Sequence, residues 1–291
     1  MAQPERLNTD DLTGRQFDGY RLLNRVSLGG SGAVYRAQHR KYPAPVAMKL
    51  MHYDRSKRET AAFRREFALG KMLSVNKFFL HYYDKGSYQN RPYVVMEYFS
   101  GKPLGLVWRE SEVKARIENR LSGFWVELAQ AVECLHRHKI VHWDLKPNNF
   151  LYDGRLLKLI DFSISEVELK WWQLWLPGER KGTPGYMSPE QIQQKKPAAV
   201  MDVYGFGAMM FEYFAGRLPF VAEDSNTVLN MTLKTPTPPK LSKFNPRVSN
   251  DLEKLVGRML AKDPKMRPRN MQQIIAALKV MDFYVGEISP Q

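Results

Sequence analysis

At 291 residues, with 44% hydrophobic and 25% charged side chains, the chain is long enough for one large domain or two lobes and too apolar for wholesale disorder. Its formal charge of +14 is spread along the sequence, with only short clusters at Arg55–Arg58 and Arg180–Lys181, so a solvated surface is expected and nucleic-acid binding is not. A lone cysteine, Cys134, excludes a disulfide framework, and the absence of any apolar run near ~18 residues or of a signal peptide points to a cytoplasmic protein without a membrane span.

Residues 1–16 are polar and read as a flexible lead-in. From there to about 99 the pattern is strand-rich with one helix. Tyr20–Val26 and Ala33–Gln38 flank a glycine-rich turn, and Val46–Leu50 is a short apolar strand. Ala61–Leu73 reads as a helix with Phe63, Phe67 and Leu73 on one face, and Tyr93–Tyr98 as a further strand. After residue 100 helical spacing takes over. Leu121, Phe124, Trp125, Leu128, Val132 and Leu135 share a face, as do Leu252, Leu255, Val256, Met259 and Leu260, and then Met271, Ile274, Ile275 and Leu278. Neither repeats nor low-complexity segments interrupt this order. The expected fold is α+β, with a small β-rich half and a larger α-rich half joined near 97–103.

Five separated elements carry chemistry. Ser27, Leu28, Gly29, Gly30, Ser31, Gly32, Ala33 and Val34 form a turn in which glycines would let backbone amides approach phosphate oxygens. The P-loop pattern of Gly-Lys-Ser/Thr is absent. Lys49 ends the apolar run Val46, Ala47, Met48, and by itself such a lysine reads as solvent-facing. Glu66, on the following helix, could fix the Lys49 ammonium for phosphate oxygens. The run from His142 and Trp143 through Asp144, Leu145, Lys146, Pro147 and Asn148 to Asn149 gathers a base, a cation and an amide metal ligand in one loop. Asp161, followed by Phe162 and Ser163, leaves a strand end where a carboxylate suits a hard cation such as Mg²⁺.

In this order the elements resemble the protein-kinase superfamily, and within it the eukaryotic-like serine/threonine kinases. Ser188, Pro189 and Glu190 stand where that family has its Ala-Pro-Glu triplet. Asp202 opens a hydrophobic helix, and Arg267 lies in an Asp-Pro-Lys-Met-Arg-Pro run. The resemblance spans about residues 17–282 and implies a bilobal kinase domain over 17–285, with the small lobe at 17–99 and the larger at 100–285. It implies ATP and Mg²⁺ as cofactors and a protein Ser/Thr hydroxyl as acceptor. The Ser27–Val34 loop would cover the phosphates. Ala47 and Leu151 would sandwich the adenine, Glu97 and Tyr98 would meet its edge, and Met96 would guard the back of the pocket. Lys49, held by Glu66, would contact phosphates, and Asn149 and Asp161 would hold the metal. Asp144 would orient the hydroxyl and take its proton, Lys146 would neutralise the moving group, and Arg267 would pair with Glu190. Lys146 and Thr183, the latter in the substrate platform, favour serine/threonine over tyrosine.

Three positions depart from the family pattern. Ser27 replaces the first loop glycine, Ser163 the glycine of the metal triplet, and Trp143 the arginine that in many relatives reads a phosphate on the activation loop. That loop, 164–181, carries Ser165 as its one hydroxyl and an apolar run with Trp171, Trp172 and Trp175. Two readings of the tryptophans stay open: they order the loop by packing in place of a phosphate, or they fill a local gap or dock a partner. The alternatives to an active kinase are a nucleotide-binding pseudokinase scaffold and a small-molecule kinase on the same fold. The oligomeric state is not legible.

Overall fold

The structure, a computed structural model, describes residues 11–53, 55–162, 166–167 and 182–285. It divides into two units, Met1–Ser100 with Lys158–Ser163, and Gly101–Leu157 with Ile164–Gln291.

The first unit is built on β1 (Gln16–Phe17), β2 (Tyr20–Leu28), β3 (Gly32–Gln38), β4 (Val46–Met51), α1 (Lys57–Leu73), β5 (Tyr82–Tyr88) and β6 (Arg91–Glu97). The strands form one antiparallel sheet in the order β1-β2-β3-β4-β6-β5. All six residues of β4 are buried, because the strand has a core on each side. Met48 and Leu50 pack with Tyr20, Leu22, Tyr35 and Val95 on one face. Ala47 and Met51 pack with Phe63 of α1, Tyr82 and Val94 on the other. Strand alternation therefore turns Lys49 toward the face that α1 covers.

Helix α1 begins at Lys57, a turn ahead of the expected Ala61. Ser56 caps it, and Glu59 completes a reciprocal capping box with Ser56. This polar first turn has no apolar periodicity for a sequence pattern to register. Part of the expected lead-in is bound to the sheet. Gly14 N–H donates to the Leu22 carbonyl at 2.8 Å, and Leu22 N–H to the Arg15 carbonyl at 2.9 Å. Strand β5 has no counterpart in the expected elements; its alternation of Lys85, Gly86 and Ser87 lacks a hydrophobic stripe.

The second unit comprises β7 (Lys102–Pro103), α2 (Leu104–Val107), α3 (Ser111–Glu118), α4 (Leu121–Arg137), β8 (Ile140–Val141) and β9 (Phe150–Tyr152). The chain passes through β10 (Leu157–Leu159), whose last two residues belong to the first unit. It then continues with β11 (Glu166–Val167), α5 (Pro189–Ile192), α6 (Ala199–Ala215), α7 (Ser225–Lys234), α8 (Asn250–Met259) and α9 (Met271–Val280). Helix α6 is buried over most of its length, α8 packs on it, and α9 packs on α4. The apolar stripe of α4 supplies Trp125, which stacks on Phe214 and meets Phe206 edge-on. Short antiparallel pairs, β7 with β9 and β8 with β11, frame the loop at 142–149. Among the described residues no helix is long and apolar enough to cross a membrane.

Candidate active site

In the first unit, Lys49 is 8% and Glu66 2% exposed, so the solvent-facing reading of the lysine gives way to a buried ion pair. The ammonium donates to both carboxylate oxygens, at 2.8 and 2.7 Å. Burial pulls the Lys49 pKa down, but the carboxylates of Glu66 and Asp161 outweigh it and hold it above the usual lysine value. Lys49 is therefore a cation fixed in place with little water around it. Tyr82, 2% exposed, hydrogen-bonds Glu66, and burial first, then the charges of Glu66 and Asp161, keep its phenol well above the ordinary range. Asp161 stands in the left-handed backbone region with φ 66°. A non-glycine residue rarely adopts that conformation, and it is held where side-chain direction matters.

The glycine-rich turn is shorter than the Ser27–Val34 span expected for it. Ser27 and Leu28 pair with Val34 and Ala33 as the ends of β2 and β3. Ser27 thus costs the turn nothing in backbone freedom, because it is a strand residue. Ala47 pairs with Met96 across β4 and β6, and both are buried. Glu97 N–H donates to the His81 carbonyl at 2.7 Å, so any contact from Glu97 to an adenine edge falls to its carbonyl. The Tyr98 ring lies under the Arg36 guanidinium, 5.2 Å from the ring centroid.

In the second unit, Asp144, Lys146, Asn149 and Thr183 converge. Lys146 Nζ donates to Asp144 Oδ2 at 2.6 Å and to Thr183 Oγ1 at 2.7 Å. Thr183 donates its backbone N–H and its hydroxyl to Asp144 Oδ1, each at 2.9 Å. Asn149 Nδ2 donates to the Asp144 carbonyl at 2.8 Å, which leaves the amide oxygen as the atom a metal would take. A short 3-10 turn at Pro147–Asn149 places that side chain, and Leu151 follows in β9.

The loop is fixed from beneath by Asp202 in the first turn of α6. Its carboxylate accepts from His142 N–H at 2.8 Å, Trp143 N–H at 2.9 Å and His136 Nε2 at 2.9 Å. Trp143 is 6% exposed, packs with Val141 and Met201, and has φ 68°. Its carbonyl accepts from Gln191 Nε2 at 2.6 Å. The peptide groups on both sides of this residue are therefore pinned, which holds the unusual backbone. The expected Arg267–Glu190 pair is present. Arg267 Nη2 meets Glu190 Oε2 at 2.8 Å, Nη1 meets Oε1, and Arg267 Nε donates to the Ala261 carbonyl at 2.8 Å. Cys134 is buried, as expected of a small hydrophobe.

Ser163, Ser165, Trp171, Trp172 and Trp175 lie outside the described residues. Sequence reasoning missed Tyr82, His136 and Gln191. Each acts on a residue at least 16 positions away, and neither spacing nor periodicity marks such a contact. Among the described residues no group of three His, Cys, Asp or Glu is placed to hold a metal ion. Asp161 in the first unit and Asn149 in the second each offer an oxygen of the kind a hard divalent cation takes.

The protein kinase domain family matches residues 20–278. The chain is 31% identical to the serine/threonine-protein kinase Pkn1 of Myxococcus xanthus over 93% of its own length. It is 28% identical to the serine/threonine-protein kinase PrkC of Bacillus subtilis, and 28% to a probable serine/threonine-protein kinase of Clostridium acetobutylicum, over 92% in each case. It spans 39%, 41% and 41% of the lengths of these three relatives.

Proposed function

The chain belongs to the protein kinase family, and from that premise we propose that it is a serine/threonine kinase passing the γ-phosphate of Mg-ATP to a protein hydroxyl. The observation that carries this reading is the cluster of Asp144, Lys146 and Thr183, with Asn149 bonded to the same aspartate. Asp144 orients the acceptor hydroxyl and takes its proton as the oxygen bonds to phosphorus and the bond to the ADP oxygen breaks. Lys146 offsets charge on the phosphoryl group. Lys49, kept charged by its carboxylate neighbours, meets the α- and β-phosphates. Little covalent work falls to the protein, so positioning and electrostatics supply the rate.

Asn149 and Asp161 are the residues that would hold Mg²⁺, which would supply charge neutralisation at the phosphates. Ala47, Met96, Glu97, Tyr98 and Leu151 would receive the adenine, and Gly29–Val34 the phosphates. The link from Lys146 to the Thr183 hydroxyl supports serine/threonine acceptors, and a cytoplasmic setting, where ATP is supplied, goes with this reading. Trp143 fills the place of a phosphate-reading arginine with an apolar ring, which supports activity independent of activation-loop phosphorylation.

Transfer from γ-labelled ATP to a mixed protein substrate tests the reading. Asp144→Asn should lower transfer by roughly 10³-fold or more while the fold persists, as befits a group acting on the transferred proton. No labelling by wild type that still binds Mg-ATP would assign the chain to the nucleotide-binding scaffolds instead, and equal labelling by wild type and this variant would overturn the role given to Asp144.

A further inference from the structure

Four consecutive carbonyls of the glycine-rich turn are all occupied by donors of the first unit. The Gly29 carbonyl accepts from His52 Nε2 at 2.7 Å, Gly30 from Arg55 Nη2 at 2.5 Å and Ser31 from the His52 backbone N–H at 3.4 Å. The Gly32 carbonyl closes the turn on Gly29 N–H at 2.9 Å. Three of the four donors thus come from two residues of the β4–α1 connection, more than 20 positions along the chain.

His52 is 5% exposed, and its Nδ1 is buried without a hydrogen-bond partner. Withdrawing an imidazole from water for one bond to one carbonyl has a cost, which the closed turn must offset. The Arg55 guanidinium is also bound through its second terminal nitrogen. Its Nη1 donates to Glu59 Oε1 at 2.8 Å, and Glu59 is the residue that completes the capping box at the start of α1. The turn is therefore tied through Arg55 to the first turn of the helix that carries Glu66.

We propose that His52 and Arg55 are positioning residues of the nucleotide site, which hold the glycine turn in one shape against the β4–α1 connection before nucleotide arrives. The inference rests on the reading above, that this turn receives the ATP phosphates. A turn of Gly, Gly, Ser and Gly would otherwise be among the most mobile in the chain, and ordering it on binding would subtract from affinity. With the carbonyls fixed, that ordering is already done, and the affinity it would have consumed is retained.

The test is calorimetric binding of a non-hydrolysable Mg-ATP analogue, alongside KM for ATP and for a protein substrate. Arg55→Ala and His52→Ala are each expected to raise the analogue Kd and the KM for ATP about fivefold or more, with the KM for protein substrate unchanged. His52→Gln, which puts an N–H near the Gly29 carbonyl, should restore most of the affinity. Arg55→Lys, which keeps the charge but cannot span Gly30 and Glu59 together, should not. Asp224→Ala is the control: it removes the side-chain cap of α7 and touches neither the turn nor Glu59, and should leave Kd within about twofold of wild type. If His52→Ala fails to fold, Arg55→Ala at the half-buried position decides alone. Wild type that binds the analogue while Arg55→Ala binds it equally well overturns the tether. Wild type that binds no Mg-nucleotide overturns the functional reading on which the tether rests.

Discussion

Lys262 is a residue whose surroundings work against its charge. Its Nζ donates to the Thr232 carbonyl at 2.5 Å and lies 4.4 Å from the Phe220 ring centroid. Burial first, and then the nearby Arg267 guanidinium, push its pKa down to about 8. Between about 8 and the unfolded lysine value the unfolded chain binds the extra proton and the folded chain does not, so stability from this group rises with pH across that window. Below about 8 both states are protonated and the penalty is present in full. Urea melts of wild type and Lys262→Met from pH 7 to 10 check this. The difference between them should move in favour of wild type as pH rises, and a difference independent of pH would show that the amine is not held in this way.

At the scale of elements, two glycines in helices make opposite demands. Gly70 in α1 faces the ring of Tyr82, and a Cβ there would overlap ring atoms that cannot swing aside. Gly123 in α4 has open space around it. Replacing a helical glycine by alanine gains up to about 0.5–1 kcal/mol from backbone entropy, the full value applying to the helix interior. At Gly123, the third residue of α4, that gain stands alone, so Gly123→Ala should stabilise by up to about 0.5 kcal/mol. At Gly70 overpacking costs about 1–3 kcal/mol and exceeds the gain, so Gly70→Ala should destabilise by up to about 2 kcal/mol. Chemical denaturation of the two variants side by side gives the comparison. The same element marks what was legible in advance. The helix was visible in Phe63, Phe67 and Leu73, because apolar spacing records which face is covered. Its polar first turn and the β5 strand over Gly70 were not, because a capping box and a tyrosine ring on a glycine are contacts between residues, without a period. α4 and α8 were legible for the same reason as the core of α1: their apolar residues recur with the helix turn. The site divides likewise. Lys49, Glu66, Asp144, Asn149 and Asp161 could be named from motif order, whereas Tyr82 on Glu66 and His136 on Asp202 needed coordinates.

At the scale of the whole molecule, the proposed phosphate transfer requires the platform around Asp144 to be held in one arrangement. Many kinases use a phosphate on the activation loop, read by an arginine before the catalytic aspartate. Here that position is Trp143, enclosed by Val141 and Met201. An indole cannot pair with a phosphate, and its burial removes the place where an arginine would reach one. Other contacts fix the described platform. Gln191 binds the Trp143 carbonyl, Gly182 with φ 120° lies against Gln191 and Met187, and Thr183 binds Asp144 and Lys146. None of these contacts needs an added charge. Protein stripped of phosphate by a phosphatase, and shown by mass spectrometry to be so, should therefore begin transfer at its full initial rate without a lag. Trp143→Arg should not convert the chain into a phosphate-dependent kinase. It would place a guanidinium in an apolar pocket sized for an indole, and the expected outcome is lower stability, by several kcal/mol, with no activation on phosphorylation. A lag in the stripped wild type that disappears as phosphate accumulates would mean that a modified residue, and not this packing, sets the active state.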